Sequence, residues 1–323
     1  MTGVSSNARV GKIAILIPVF NAGPLLRETM LSASKANLPG ESYEIVISDN
    51  ASSDGSTSGI PNADPQGAPI TVHRNSANLG RVENWNCALE YAEQMGFSYA
   101  MVLMAGDVLT DTTVIALRDR MAELGAVLGM ASYQVVDETL RPLRIARRIR
   151  CRNGLDFTVA PARFLAQFLA TGAMLYGPLG ANLYRIDGSA RLRFNPADPT
   201  HTDQLATALF AQAANRPIVY LDRPISCWRE RPQRFHSTMT SSQRLNDDFR
   251  VIEHACSAAG VRPDYGRIRA TLLLRTLVGS RGNLHRALHQ VREATGGRLL
   301  SLSWLTRLAL RQFQHHTPWL AET

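Results

Sequence analysis

At 323 residues, with 45% hydrophobic and 19% charged side chains, the chain has the composition of a folded globular protein of one large domain or two modest ones. That length and composition exclude disorder and a small disulfide scaffold, and Cys87, Cys151, Cys227 and Cys256, far apart and never at the paired spacing of a zinc or redox site, are read as reduced thiols. The formal charge of +8 points to an anionic partner without choosing among nucleic acid, a membrane surface and a phosphorylated ligand.

Lys12 to Phe20, KIAILIPVF, is a short β-branched apolar run that stops at Asn21-Ala22-Gly23-Pro24, which predicts a buried first strand entering a loop. Apolar and small residues then recur at helical spacing from Leu25 to Ala36. Tyr43 to Ser48 predicts a second strand, followed by the polar turn-forming loop Asp49 to Ser56. A third strand, Ile70 to His73, precedes Arg74 to Gly80, and a helix follows from about Val82 to Met95. Tyr99 to Met104 predicts a fourth strand ending at Ala105-Gly106-Asp107, and Thr112 to Leu124 a further helix. Strands alternating with helices imply parallel pairing and right-handed crossovers, so the loops after the strands open on one edge, where ligands bind in open α/β sheets.

Beyond that point the pattern is less regular. The apolar run Val127 to Val136 and the basic stretch Arg141 to Arg152 carry no assignment. Pro161 to Ala170 and Thr202 to Ala214 are read as helices, Ile218 to Leu221 as a short strand, and the chain beyond about Thr240 as helical. Leu299 to Phe313 has an amphipathic pattern, read as packing on the core in preference to resting on a membrane.

Four blocks in order, Ile17 to Asn21 (IPVFN), Glu44 to Ser56 (EIVISDNASSDGS), Asn78 to Leu89 (NLGRVENWNCAL) and Met104 to Asp107 (MAGD), resemble the family-two group of inverting glycosyltransferases. The resemblance covers the first 110 residues well and Gly177 to His236 more loosely. It implies a GT-A-type α/β fold, a mostly parallel twisted sheet flanked by helices over residues 10–238, with a helical C-terminal extension over 239–323. It also implies that Pro18, Phe20 and Asn21 line the base or ribose pocket, that Asp49 contacts base or ribose, and that Asn78, Gly80 and Asn86 lie where the chain passes the nucleotide. A carboxylate suits that place because it accepts from ribose hydroxyls or a base N–H.

Asp107 aligns with the acid of the metal-binding DxD-type motif, so Mn²⁺ or Mg²⁺ is the expected cofactor, stabilising the departing diphosphate as a Lewis acid. Here the sequence departs from the pattern, since Ala105 and Gly106 stand where related chains often carry another acid. Asp203 matches the acid near the start of a later helix and is the expected general base, with Asp198 the nearest substitute. Its alternative is a residue stabilised by the helix dipole. Arg229, Arg234 and His236 are expected to close over the diphosphate and exclude water. Trp85 is read as core, and His285 and His289 as exposed helix positions.

The expected activity is metal-assisted transfer of a hexose, with inversion, from a UDP, GDP or dTDP sugar to a hydroxyl of a saccharide or lipid-linked acceptor, as in polysaccharide biosynthesis. A catalytically silent nucleotide-sugar-binding protein is the alternative. Nucleic-acid binding is not expected, because no aromatic and basic interleaving accompanies the charge. Without an apolar leader or an 18-residue apolar run, the expected location is cytoplasmic, with the C-terminal helices the candidates for peripheral contact at the inner face of the cell membrane.

Overall fold

The computed structural model describes residues 11–146, 157–162, 178–197 and 202–230, with positions 243, 250, 251, 253–257, 260, 262, 285 and 289. The first half follows the expected alternation. Strand β1 (Ile13–Val19) leads through Gly23 and Pro24 into helix α1 (Pro24–Lys35), where proline at the first helical turn costs nothing because its missing N–H would have had no partner. Strands β2 (Tyr43–Asp49) and β3 (Ile70–Arg74), helix α2 (Arg81–Gln94) and strand β4 (Tyr99–Val102) follow. Then come β5 (Val108–Leu109), α3 (Thr113–Leu124), β6 (Leu128–Val136), β7 (Pro142–Ala146), β8 (Phe157–Val159), β9 (Asn182–Arg185), α4 (Thr202–Ala214) and β10 (Ile218–Arg229).

These strands form one sheet in the order β3-β2-β1-β4-β9-β6-β10-β5, with β7 beside β6 and β8 beside β10. Pairs β3/β2, β2/β1, β1/β4 and β6/β10 are parallel, while β9 runs antiparallel between β4 and β6. Hence β1, β2, β3, β4, β6 and β10 all point the same way, and β9 is an inserted reverse strand.

Side-chain alternation in the central strands divides the core between the two faces. Ala14, Leu16 and Val46 join Val82, Trp85 and Leu89 of α2 and Leu205 and Phe210 of α4 on one face. Ile13, Ile15, Ile17 and Val19 join Leu26 and Met30 of α1 and Leu117 and Met121 of α3 on the other. Both faces of β1 are covered, which is why its sequence is continuously apolar rather than alternating. Each fully buried Leu or Ile contributes on the order of 1.5–3 kcal/mol.

Three departures from the sequence reading have local causes. The unassigned apolar run 127–136 is β6, and part of the basic stretch is the exposed edge strand β7. Strand β10 does not stop at Leu221: Asp222-Arg223-Pro224 resembles a turn, yet the ladder resumes through two register shifts around Pro224 and continues to Arg229. Strand β9 carried no strand signal because its four residues follow directly on the 3-10 turn Leu179–Ala181. The expected helix at 161–170 and the extension at 239–323 fall largely outside the described residues.

Candidate active site

Because β3, β2, β1 and β4 are adjacent and parallel, their carboxyl ends deliver four loops side by side to one edge, in chain order the first at 20–23, the second at 50–57, the third at 75–80 and the fourth at 103–107. The register that aligns the strands sets Asp49, the last residue of β2, opposite Arg74, the last of β3.

Asp49 is the centre of the second loop. Its Oδ1 accepts the Ser52 N–H at 2.8 Å, and its Oδ2 accepts the Thr57 hydroxyl at 2.8 Å and the Arg74 guanidinium at 2.5 Å. Burial acts against ionisation here, but the bonds from Ser52 and Thr57 and the Arg74 charge outweigh it and hold the carboxyl below its ordinary pKa. Asp49 is 0% exposed, so contact with a ribose or base requires this loop to open. Arg74, which the sequence reading placed in a loop without a role, also donates to the Ser52 carbonyl at 2.7 Å. The parallel register was the signal that would have found it.

A cluster of side-chain amides joins the second and third loops. Asn50 donates to Asn78 Oδ1 at 2.7 Å and accepts from the Leu79 N–H at 2.9 Å. Asn84 Oδ1 accepts from Ser48 at 2.8 Å and from Asn75 at 2.9 Å, and its amide donates to the Ser48 carbonyl at 3.0 Å. Asn84 thereby fixes the first turn of α2 to β2. Asn78 itself is exposed, and its Oδ1 also accepts the Gly80 N–H at 2.9 Å. Gly80 has φ of 85°, a conformation that excludes most other residues, and the space where a side chain would stand is open. Asn86 points elsewhere: it donates to the Phe194 carbonyl at 2.9 Å and accepts the Phe194 N–H at 2.8 Å, which holds the 192–195 segment as a strand neighbour would.

The first loop is latched to the second. The Asn21 N–H donates to Ser52 Oγ at 3.0 Å, Asn21 Oδ1 accepts the Ser53 N–H at 2.8 Å, and Asp54 accepts the Gly23 N–H at 2.9 Å. Asn21 has φ of 50°, which asparagine tolerates better than other side chains. Phe20 projects from this loop and is half exposed, whereas Pro18 is buried within β1 opposite Ser48.

After β4 the chain turns so that the Asp107 N–H donates to the Met104 carbonyl at 2.8 Å. Thr29 on α1 secures this turn, its hydroxyl accepting the Gly106 N–H at 2.6 Å and donating to the Asp107 carbonyl at 2.8 Å. Ser32, one turn later, accepts the Leu109 N–H at 3.1 Å. Asp107 is 8% exposed, and its Oδ1 accepts the Arg229 N–H at 3.0 Å. The Arg229 guanidinium is bound to Glu28 at 2.5 Å and its side chain is buried. Neither Thr29 nor Glu28 stood out in the sequence; the available signal was a set of polar residues, Thr29, Ser32 and Ser34, on the buried side of an amphipathic helix.

Among the described residues no three Asp, Glu, His or Cys side chains converge as metal ligands. The donor set at Asp107 is one carboxylate, which suits Mg²⁺ or Mn²⁺ held chiefly by phosphate oxygens and water.

Asp203 lies in the first turn of α4, partly exposed, and its charge reaches both Arg81 and Tyr184. The Arg81 guanidinium sits 4.9 Å above the Trp85 ring, and Trp85 packs edge-on against Phe194. Beneath the helix, Tyr184 is buried and bonds to Thr207 at 2.9 Å, and Thr207 donates to the Asp203 carbonyl at 2.6 Å. Burial pushes the Tyr184 hydroxyl up, so it stays protonated and acts as a fixed bonding group under Asp203. Arg234, His236 and Asp198 lie outside the described residues, and His285 and His289 are exposed helical positions. No helix among the described residues is long and apolar enough to cross a membrane.

A family profile described as Glycosyl transferase family 2 matches residues 14–182. Among solved structures, S. aureus TarS 1-349 in complex with UDP-GlcNAc is 17% identical, covering 88% of this chain and 81% of that one with a TM-score of 0.59. The mannosyltransferase PcManGT from Pyrobaculum calidifontis, in complex with GDP-Man and Mn²⁺, is 15% identical, with coverage of 95% and 81% and a TM-score of 0.51. GalNAc-T7 with UDP, GalNAc and Mn²⁺ is 15% identical, with coverage of 94% and 57% and a TM-score of 0.55. No curated protein matches by sequence. The shared fold is the GT-A arrangement of a mostly parallel sheet flanked by helices.

Proposed function

We propose, from the premise that the chain belongs to glycosyl transferase family 2, that it moves a hexose with inversion from a nucleoside diphosphate sugar to a hydroxyl of a saccharide or lipid-linked acceptor. The observation that carries this reading is the convergence of four loops on one sheet edge, with Asp107 in the turn after β4 held by Thr29 and by the Arg229 N–H. In this reading residues 10–238 are the catalytic domain and 239–323 an extension. Solved structures of similar fold bind UDP, UDP-GlcNAc and GDP-Man, which supports a nucleotide sugar as donor.

The exposed Phe20 offers a face to the base, and Asn21 and Asn78 line the rim. Asp107 contributes a protein carboxylate to a Mn²⁺ or Mg²⁺ ion, which when bound supplies Lewis-acid stabilisation of the diphosphate. Asp203 takes the proton from the acceptor hydroxyl. The freed oxygen electron pair attacks the anomeric carbon from the side opposite the diphosphate, the bond to the diphosphate breaks, and that pair leaves with the nucleotide. Arg81, at the start of α2, lies within electrostatic reach of Asp203.

The test is a thermal-shift and calorimetric screen of UDP, GDP, dTDP and CDP, each with Mn²⁺, Mg²⁺ or EDTA. Metal-dependent stabilisation by one diphosphate is expected, because a ligand of the native state raises stability by mass action. No stabilisation by any of the four sinks the reading. Ala105 and Gly106 in place of an acid favour a second reading, a silent binding protein, which predicts stabilisation without turnover of the corresponding sugar nucleotide.

A further inference from the structure

The segment between β9 and α4 is seated on α2, and its residues alternate as an extended chain requires. Leu192 and Phe194 are buried in the cluster that holds Trp85 and Leu89 of α2 and Leu205, Ala206 and Phe210 of α4. Arg191 and Arg193 are exposed, and both meet Glu93 near the carboxyl end of α2. Arg193 binds it with both arms, Nη1 to Oε1 at 2.9 Å and Nη2 to Oε2 at 2.7 Å, and Arg191 Nη1 reaches Oε2 at 2.9 Å. The Glu93 side chain is 7% exposed and those of Arg191 and Arg193 are 59% and 38% exposed, so the anion is the interior partner and the two cations cover it. Two helical turns earlier, Asn86 takes both the N–H and the carbonyl of Phe194, and Trp85 meets the Phe194 ring edge-on.

The two ends of α2 therefore serve different parts of the molecule. Its first turn follows the third loop and is fixed to β2 through Asn84. Its later turns hold the approach to α4, where Asp203 stands nine residues after Phe194. Leu205, in the same first turn as Asp203, shares the buried cluster with Leu192 and Phe194, and a close-packed interior passes a displacement of one member to the others. A bidentate guanidinium on a buried carboxylate fixes direction as well as distance, which an exposed pair does not. We propose that Glu93 is a positioning residue that, through Arg191 and Arg193, seats residues 191–194 on α2 and thereby sets the first turn of α4 and the carboxylate of Asp203. This rests on the reading of Asp203 as the general base.

The experiment compares the full chain with Glu93→Gln, Glu93→Asp, Asp203→Asn and Glu93→Gln/Asp203→Asn. Turnover is the hydrolysis of the radiolabelled sugar nucleotide whose diphosphate stabilises the chain, with water in place of the acceptor hydroxyl, and calorimetry gives the affinity for that diphosphate. Hydrogen exchange is read over residues 203–210, with 78–84 as the control. Glu93→Gln is expected to lower kcat about tenfold with KM and diphosphate affinity within about twofold, and to speed exchange in α4 but not in the control. Glu93→Asp is expected to lower kcat about threefold, and it carries the test where circular dichroism finds Glu93→Gln unfolded. The double variant is expected to be as slow as Asp203→Asn alone, because a base that is absent cannot be displaced. A merely structural Glu93 would slow the double variant further, or weaken diphosphate binding together with turnover, and either result overturns the proposal. So does an undiminished kcat in the Glu93 variants beside a crippled Asp203→Asn. Full turnover in Asp203→Asn, or none in the unaltered chain, overturns the base reading itself and this proposal with it.

Discussion

Replacing Asp49 by Asn separates two roles that one carboxylate at the end of β2 can have. The side chain keeps its shape, but an acceptor that took the Ser52 N–H, the Thr57 hydroxyl and the Arg74 guanidinium now presents an NH₂ at one of those oxygens. Breaking a buried ion pair costs about 3–5 kcal/mol, and the half-exposed Arg74 recovers part of this from water, which leaves about 2–3 kcal/mol. Urea denaturation reads that loss as a lower midpoint at unchanged slope. The acid limb gives an independent sign. The folded carboxyl lies below its ordinary 3.8, so the unfolded chain binds the proton more readily. The stabilisation from Asp49 is therefore full above about pH 5 and is lost as pH falls through the lower folded value, so the variant's stability falls less steeply over that range. Calorimetry with UDP completes the comparison, and a weaker UDP complex is expected alongside the lower midpoint. A variant with an unchanged midpoint and lost UDP binding would refute the loop-holding role and return Asp49 to direct contact with the nucleotide.

Three further outcomes follow from other parts of the molecule. Asp203→Asn is expected to lower transfer by about 10²–10⁴-fold in a radiolabelled-donor assay while UDP binds as before; undiminished transfer removes Asp203 as the base. Asn86→Ala leaves the Phe194 N–H and carbonyl without partners, at a cost of about 2 kcal/mol in urea, with faster hydrogen exchange at Phe194 and unaltered UDP affinity. Lost UDP affinity at unaltered stability would instead make Asn86 a ligand residue. In Gly129→Ala the new Cβ stands 2.5 Å from Met121 Sδ and 2.7 Å from Leu117 Cγ, so overpacking of about 1–3 kcal/mol is expected as a lower melting temperature, and a melting temperature equal to the parent's refutes it.

The first half of the fold was legible because its signals are local. Continuous apolar runs in β1 and β2, Pro24 opening α1 and the turn-forming residues between them each act within a few positions. Strands β9 and the far half of β10 were not legible, because one is four residues long and the other runs through Pro224 by bulging. The site was legible as a set of loops but not as a set of contacts. Asp49 and Asn86 stand at positions where a family resemblance implies nucleotide, yet their bonds go to Ser52, Thr57, Arg74 and Phe194. Arg74 and Phe194 lie 25 and 108 residues from the residues they bond, beyond what spacing along one segment can show.

That inward commitment has a physical reason. A surface built to receive a flexible polyanion loses affinity for every loop it must order at the moment of binding, and loops ordered during folding remove that cost. Asp49, Asn50, Asn75 and Asn84 are buried and tie loop to loop, while Phe20, Asn21 and Asn78 stay exposed at the rim.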